Sequence, residues 1–475
     1  MSEVVLSGGG LTLEHVLAVA RHDARVSLGY SVIATMARSR AVVERALERG
    51  APAYGLTTGV AALKRERVEP SSAERFNQAL IREHRIAQGP LASAEVVRAA
   101  TLRLVNHFAS GVPGVRPVLA ERMITCLNEG MTPPVRLLGS LGMSDLGPNA
   151  DLAAGLLDGF ALQAGEGLAF LNHSAVSTGL AALAVADAAR LLDSATAVAA
   201  LSMEGFGANL TLLHPAVART RPNRGLGLTL ERIRALLEGS HLWREGAARN
   251  LQDPLTLRSI PQVHGAAQDA LAYTGAQLAI ELNSSQGNPI VVPEEDRVIS
   301  VANFDVIATA AAIDFLRIAL APVLTAAAER TTKLLESSWS GLESGLSPAR
   351  TAEPGLGELD IAAAAMAAEA RLLAQPVSFE VSTTSIAEGI EDRMTMFPLA
   401  SRRLAEMVAL GERIVAIEWL TAAQAAEIRG ASPLGRGTGA LVARVRQQVP
   451  TFRTAADFPV DLEPVVALVR EGVLD

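Results

Sequence analysis

The sequence predicts an all-α fold, and three observations carry that reading. The composition is rich in Ala and Leu with only 4% aromatic residues, which suits helix interiors better than the β-branched and aromatic surfaces of sandwiches. Two apolar stretches, 172–202 and 303–338, far exceed an ordinary globular helix in length. Strand-like segments are few and short: VVL near the start, and PIVVP followed by RVISVAN at 289–303.

Two short helices are expected within residues 11–50. Thr12 caps the first, LEHVLAVARHDA; Ser39 precedes RAVVERALERG, which Gly50 closes. The segment APAYGLTTGVAAL (51–63) reads as a loop. From Ser71 to Glu129 the helical period returns in AERFNQALIREHRIAQG, SAEVVRAATLRLVNHFASG and VRPVLAERMITCLNEG, with Pro113, Pro117, Pro133 and Pro134 as breaks. Long apolar helices follow at 151–203, 227–238, 262–283, 303–338, 358–374 and 398–428. Helices apolar on several faces need partners on several sides, which a bundle shared between subunits supplies. The expected organisation is an N-terminal helical domain over 1–200, a long-helix central bundle over 201–430 and a helical cap over 431–475.

Composition removes several functional classes. The net charge is −8, with 42 basic against 50 acidic residues and no basic block, so a nucleic-acid partner is not expected. Cys126 is the only cysteine, which excludes an intrachain disulfide and fits a reducing compartment. The first residues carry charges inside their apolar pattern, unlike a signal peptide. Asp187, Arg190 and Asp193, and likewise Asp314 and Arg317, interrupt the most apolar windows, so no membrane span is expected. The chain is expected to be soluble and cytoplasmic. No H-E-x-x-H occurs, and Gly8-Gly9-Gly10 lacks the lysine of a phosphate loop; no metal site is expected.

Polar loops interrupt the apolar helices: YGLTTG (54–59), NLQDPLTLRSIPQVHG (250–265), ELNSSQGNPIVV (281–292) and STTSIAEGIEDRMTM (382–396). Each alone is a weak signal. Together and in order they resemble the aromatic amino acid lyase family of histidine, phenylalanine and tyrosine ammonia-lyases and related aminomutases. YGLTTG resembles Y-G-x-N-T-G, EGLAFLN resembles E-G-L-A-L-x-N, and QDPLTLR resembles Q-D-x-Y-S-x-R. ELNSSQGNP resembles E-x-N-S-x-x-D-N-P, NFDVIATAAAIDFLRIALA the N-F-H helix, and IEDRMTM resembles Q-E-D-H-V-S-M. The likeness runs over roughly residues 10–430. It implies a helical central bundle in a homotetramer, with each active site built from three subunits.

The resemblance also implies a cofactor made from the chain's own backbone. In this family an Ala-Ser-Gly triad closes into a methylidene-imidazolone ring, the Gly nitrogen attacking the Ala carbonyl before two dehydrations. The family's G-S-x-G-A-S-G-D-L-A-P is here Gly139-Ser140-Leu141-Gly142-Met143-Ser144-Asp145-Leu146-Gly147-Pro148. D-L-x-P aligns if the glycine of the triad is deleted; without a gap, Asp145 stands in its place. Either way Met143-Ser144-Asp145 is a poor precursor, because ring closure favours a residue without Cβ. No such ring is expected, and no other cofactor. The ring-supporting positions depart as well: Leu255 stands for the tyrosine, Thr57 for an asparagine, and Ile390 and Arg393 for the residues flanking Glu-Asp.

Matched residue by residue, the resemblance implies Tyr54 as catalytic base and Glu391 as the carboxylate that meets a substrate amine. Ser144 is retained from the triad and is a weaker candidate nucleophile without a His/Asp set. Arg258 matches the carboxylate clamp, whose planar fork grips both oxygens. His84, Asn172, Gln252, Leu255, Asn288, Phe304 and Arg393 complete the expected substrate site. The expected function is proton-transfer chemistry on a small carboxylate: elimination, addition, isomerisation or cyclisation. Two alternatives stand beside it, a histidine-like ammonia-lyase or aminomutase with a ring from Met143-Ser144-Asp145, and a non-catalytic binding or scaffold homologue.

Overall fold

The computed structural model describes residues 3–347, 353–379 and 386–474. The chain forms two compact units, each assembled from three segments. The first draws on residues 1–184, 275–313 and 376–402, the second on 185–274, 314–375 and 403–475. The boundaries at 200 and 430 suggested by the sequence both fall inside the second unit.

In the first unit the helix Ala94–Ala109 is the central post, buried from Val96 to its end. Leu13–His22 and Pro117–Asn128 pack against it. An amphipathic helix gains its stability from such burial more than from propensity. Three two-stranded sheets trim this unit: Val4–Leu6 parallel to Val26–Leu28, Gln88–Leu91 antiparallel to Arg136–Leu138, and Ile290–Val292 antiparallel to Arg297–Ile299. The last two pairs place the loops around residues 140 and 288.

The second unit is built on long helices, among them Phe397–Arg429 and the later parts of Ala175–Phe206 and Ile307–Leu335. A buried ion pair lies within it. Arg330 Nε and Nη2 reach the Glu418 carboxylate at 2.6 and 3.0 Å, and Ser202 Oγ donates to the same group at 2.6 Å. Bidentate geometry and a third donor offset the desolvation of both charges. The tail folds as Arg436–Val445 and Glu463–Glu471. The helical stretches long and apolar enough to cross a membrane, Glu166–Phe206 and Ile307–Leu335, bury 78% and 61% of their most apolar windows, as core helices do.

The all-α expectation holds, with corrections at the level of elements. Thr12 caps its helix through a box closed by His15. Ser39 is no cap: it is buried in the middle of Val32–Glu48, whose N-cap position is Ser31. The expected helix over 151–203 is three helices, Leu146–Leu156, Glu166–Leu171 and Ala175–Phe206. Gly159 and Gly165, at φ 70° and 83°, turn the chain between the first two. The strands at 26–28, 88–91 and 136–138 are too short for an alternating pattern to betray.

Candidate active site

A cavity of about 340 Å³ opens in the first unit, lined among others by Tyr54, His84, Ser144, Asn172, Phe304 and Glu391. Asn288 and Arg393 also line it. Eight of the residues expected from the sequence therefore meet at one place. Gln252, Leu255 and Arg258 do not line it; they are exposed in the second unit. There Arg258 Nε donates to the Asp253 carbonyl at 2.6 Å.

Tyr54 stands on a loop whose shape is dictated locally. Gly55 has φ 67°, a left-handed backbone that strains any residue with a Cβ, and a Cβ there would press on Leu168 Cδ2 at 2.1 Å. The Tyr54 hydroxyl accepts a hydrogen bond from the Ala61 N–H at 2.9 Å. Burial, and after it the charge of Glu391, raise the phenol pKa above its ordinary value, while the Ala61 bond opposes both. Glu391 is itself raised, first by burial and then by Asp392. Two groups that each resist a negative charge thus face one cavity. A cation placed between them would favour the ionised form of both.

The turn Gly142–Ser144 is tightly held. Gly142 has φ 88° and Ser144 φ 71°, a conformation that costs a residue with a Cβ about 1–3 kcal/mol. Thr395 Oγ1 donates to the Gly142 carbonyl at 2.7 Å, and the Met396 N–H to Leu141 at 2.9 Å. A Cβ on Gly142 would stand 2.3 Å from Thr395 Oγ1. Met143 pairs with Asp305 in an isolated bridge. The Ser144 hydroxyl donates to Asn172 Oδ1 at 2.5 Å, and Asn172 Nδ2 donates to the Asn288 carbonyl at 3.0 Å. An amide oxygen cannot take a proton as a base does, so nothing here activates Ser144 as a nucleophile.

Asp145 faces away from the cavity. Its N–H donates to the His173 carbonyl at 2.8 Å. Its carboxylate accepts from the N–H and hydroxyl of Ser177, both at 2.7 Å, in the first turn of Ala175–Phe206. A carboxylate at a helix N-terminus satisfies orphan donors and meets the positive end of the dipole. His84 is oriented through Nδ1, which donates to the Leu80 carbonyl at 2.7 Å. Arg393 Nη1 pairs with Asp305 Oδ2 at 3.0 Å.

The profile of the aromatic amino acid lyases matches residues 11–160 and 154–447. The chain belongs to the aromatic amino acid lyase family. Histidine ammonia-lyase of Symbiobacterium thermophilum is 34% identical over 99% of this chain and 97% of its own length. That of Treponema denticola is 33% identical over 94% and 92%. Among solved structures, a tyrosine aminomutase from Streptomyces globisporus superposes with a TM-score of 0.91 at 29% identity, covering 99% and 97% of the two chains. An ergothionase from Treponema denticola has the same TM-score at 24% identity, with 99% and 98% covered; that likeness is one of fold.

Two features around this cavity escaped the sequence. Thr395, the clamp on Gly142, occupies the serine position of the family's Q-E-D-H-V-S-M, so a signal existed. The partnership of Asp145 with Ser177 had none, since it joins positions 32 residues apart through a fold that spacing cannot show. The first residues of the loop STTSIAEGIEDRMTM, 382–385, lie outside the described residues.

Burial pushes the Asp145 carboxyl up to about 6, against its bonds from Ser177 and Ser140. A raised carboxyl binds its proton more tightly in the folded state, so its contribution falls as pH rises from about 4 to about 6 and is constant above. Asp145→Asn removes this dependence. In urea unfolding at stepped pH, wild type should lose ground relative to Asp145→Asn between pH 4 and 6 and not between 7 and 8. A difference that is flat with pH would refute the assignment.

Proposed function

We propose that this chain is a lyase-family enzyme that works without the methylidene-imidazolone ring. Tyr54 acts as base on a small carboxylate, and the reaction is elimination, addition, isomerisation or cyclisation. The observation that carries this reading is the Met143-Ser144-Asp145 segment. Ring closure needs the third residue's nitrogen on the first residue's carbonyl carbon. Here that N–H is bonded to His173, and the side chain beyond it is built into the start of another helix. The chain's Ala109-Ser110-Gly111 tripeptide is no substitute, because Ala109 closes the helix Ala94–Ala109.

The remaining residues supply a consistent division of work. Ala61 donates to the phenol oxygen and so favours the phenolate that proton abstraction requires. A substrate amine beside Glu391 would lower the Tyr54 pKa as it binds. Without an electrophile to activate ammonia, a better leaving group is favoured. Arg258 anchors the carboxylate through its terminal nitrogens, which have no partner among the described residues. We infer that it does so in the cavity of a neighbouring copy, within a homotetramer. Support comes from large apolar side chains left exposed: Leu251, Leu255, Tyr273, Ile280, Phe315 and Ile318. We place the enzyme in the cytoplasm, where the buried, unpaired Cys126 would remain reduced.

The names of the curated relatives favour a second reading, a histidine ammonia-lyase with a ring from Met143-Ser144-Asp145. Intact-mass measurement separates the two. A ring lowers the mass by two waters, about 36 Da. The first reading expects the mass of the unmodified sequence and no deamination of histidine. A deficit of 36 Da together with histidine turnover would establish the second.

A further inference from the structure

The loop that carries Tyr54 separates two cavities. Residues 57–68 close on themselves: Val68 N–H donates to Thr57 at 2.9 Å, Gly59 N–H to Glu66 at 2.8 Å, and Thr58 bridges Arg67. Tyr54, Val60 and Ala61 line the active cavity. The same loop contributes Thr57, Thr58, Lys64, Arg65, Arg67 and Val68 to a second cavity of about 490 Å³. Its other wall comes from Leu47, Gly50, Pro52, Pro70, Ala73 and Ala164.

The chemistry of this second cavity is one-sided. Three cations line it, and no Asp or Glu does. Arg65 has no hydrogen-bond or ion-pair partner among the described residues. Lys64 lies 3.6 Å from Glu388 and Arg67 3.4 Å from Glu69. Both of those carboxylates are largely exposed, and such surface pairs are weak enough to exchange partners. Between the cations the walls are apolar, supplied by Leu47, Pro52, Leu56 and Val68. A planar guanidinium beside an apolar wall suits a carboxylate joined to an apolar body.

We propose that this second cavity binds a small amphipathic carboxylate, and that its occupation fixes the loop that positions Tyr54. The α,β-unsaturated acid released by an elimination belongs to this class, so the site would sense product. The effect on turnover rests on the reading of Tyr54 as base; binding and loop ordering do not.

Hydrogen exchange of the peptide covering 51–70 tests this without any assay of activity. The probes are cinnamate, 3-phenylpropionate and inorganic phosphate, each at millimolar concentration. Cinnamate should slow exchange across 54–68 in the wild type and in His84→Ala, which alters the active cavity. In Arg65→Ala and Arg67→Ala the concentration needed should rise about tenfold, the equivalent of about 1.4 kcal/mol. Preference for cinnamate over 3-phenylpropionate would identify the product class; equal effects would identify apolar acids in general. The proposal is overturned by absence of protection, by protection lost in His84→Ala but kept in the arginine variants, or by phosphate acting as well as cinnamate.

Discussion

Replacing Tyr54 by Phe should lower turnover of a carboxylate substrate by about 10²–10⁴-fold, the usual weight of a positioned acid–base group. The ring stays, so the packing around Gly55 and Leu168 is kept, and only the oxygen bonded to Ala61 is lost. Steady-state kinetics on the best substrate from a panel of amino and hydroxy acids would show the loss in kcat, with KM changed little. The pH profile adds an independent sign. Burial and Glu391 raise the phenol pKa, so kcat/KM should climb toward alkaline pH in the wild type. Glu391→Gln removes one of the two causes and should move that rise to lower pH. Unchanged turnover in Tyr54→Phe would end the assignment of the base.

The second large effect is a gain. Insertion of a glycine between Ser144 and Asp145, combined with Met143→Ala, recreates Ala-Ser-Gly-Asp-Leu while leaving Asp145 in register with its partners. The inserted residue offers an amide nitrogen with no Cβ beside it. Thr395 still holds the Gly142 carbonyl. Mass spectrometry should find this variant lighter than its sequence by about 36 Da, and the wild type not. An inserted chain of full mass would mean that more than the triad governs ring closure in this fold.

Part of the fold and of the site is legible in the sequence. The helical class followed from composition, and the family register singled out Tyr54, His84, Ser144, Asn172, Asn288, Phe304, Glu391 and Arg393; that these eight line one cavity is read from the fold. Regular elements were legible where apolar period and capping agreed, as at Thr12. They were lost where one overrode the other. Ser39 looked like a cap because Ser favours that position, yet Val32 to Glu48 supply a continuous buried face that draws it inside. Residues 151–203 looked unbroken because apolarity persists through the turn at Gly159 and Gly165. Gln252, Leu255 and Arg258 were legible as a motif, and they belong to the second unit.

The anchoring of Asp145 sets what a change at this position costs. A single codon change to glycine at 145 would delete the side chain that holds Ser177, loosening a buried helix start before any heterocycle could form. A glycine placed at 145 thus costs the fold a buried anchor, whereas a glycine added beside Asp145 leaves that anchor in place.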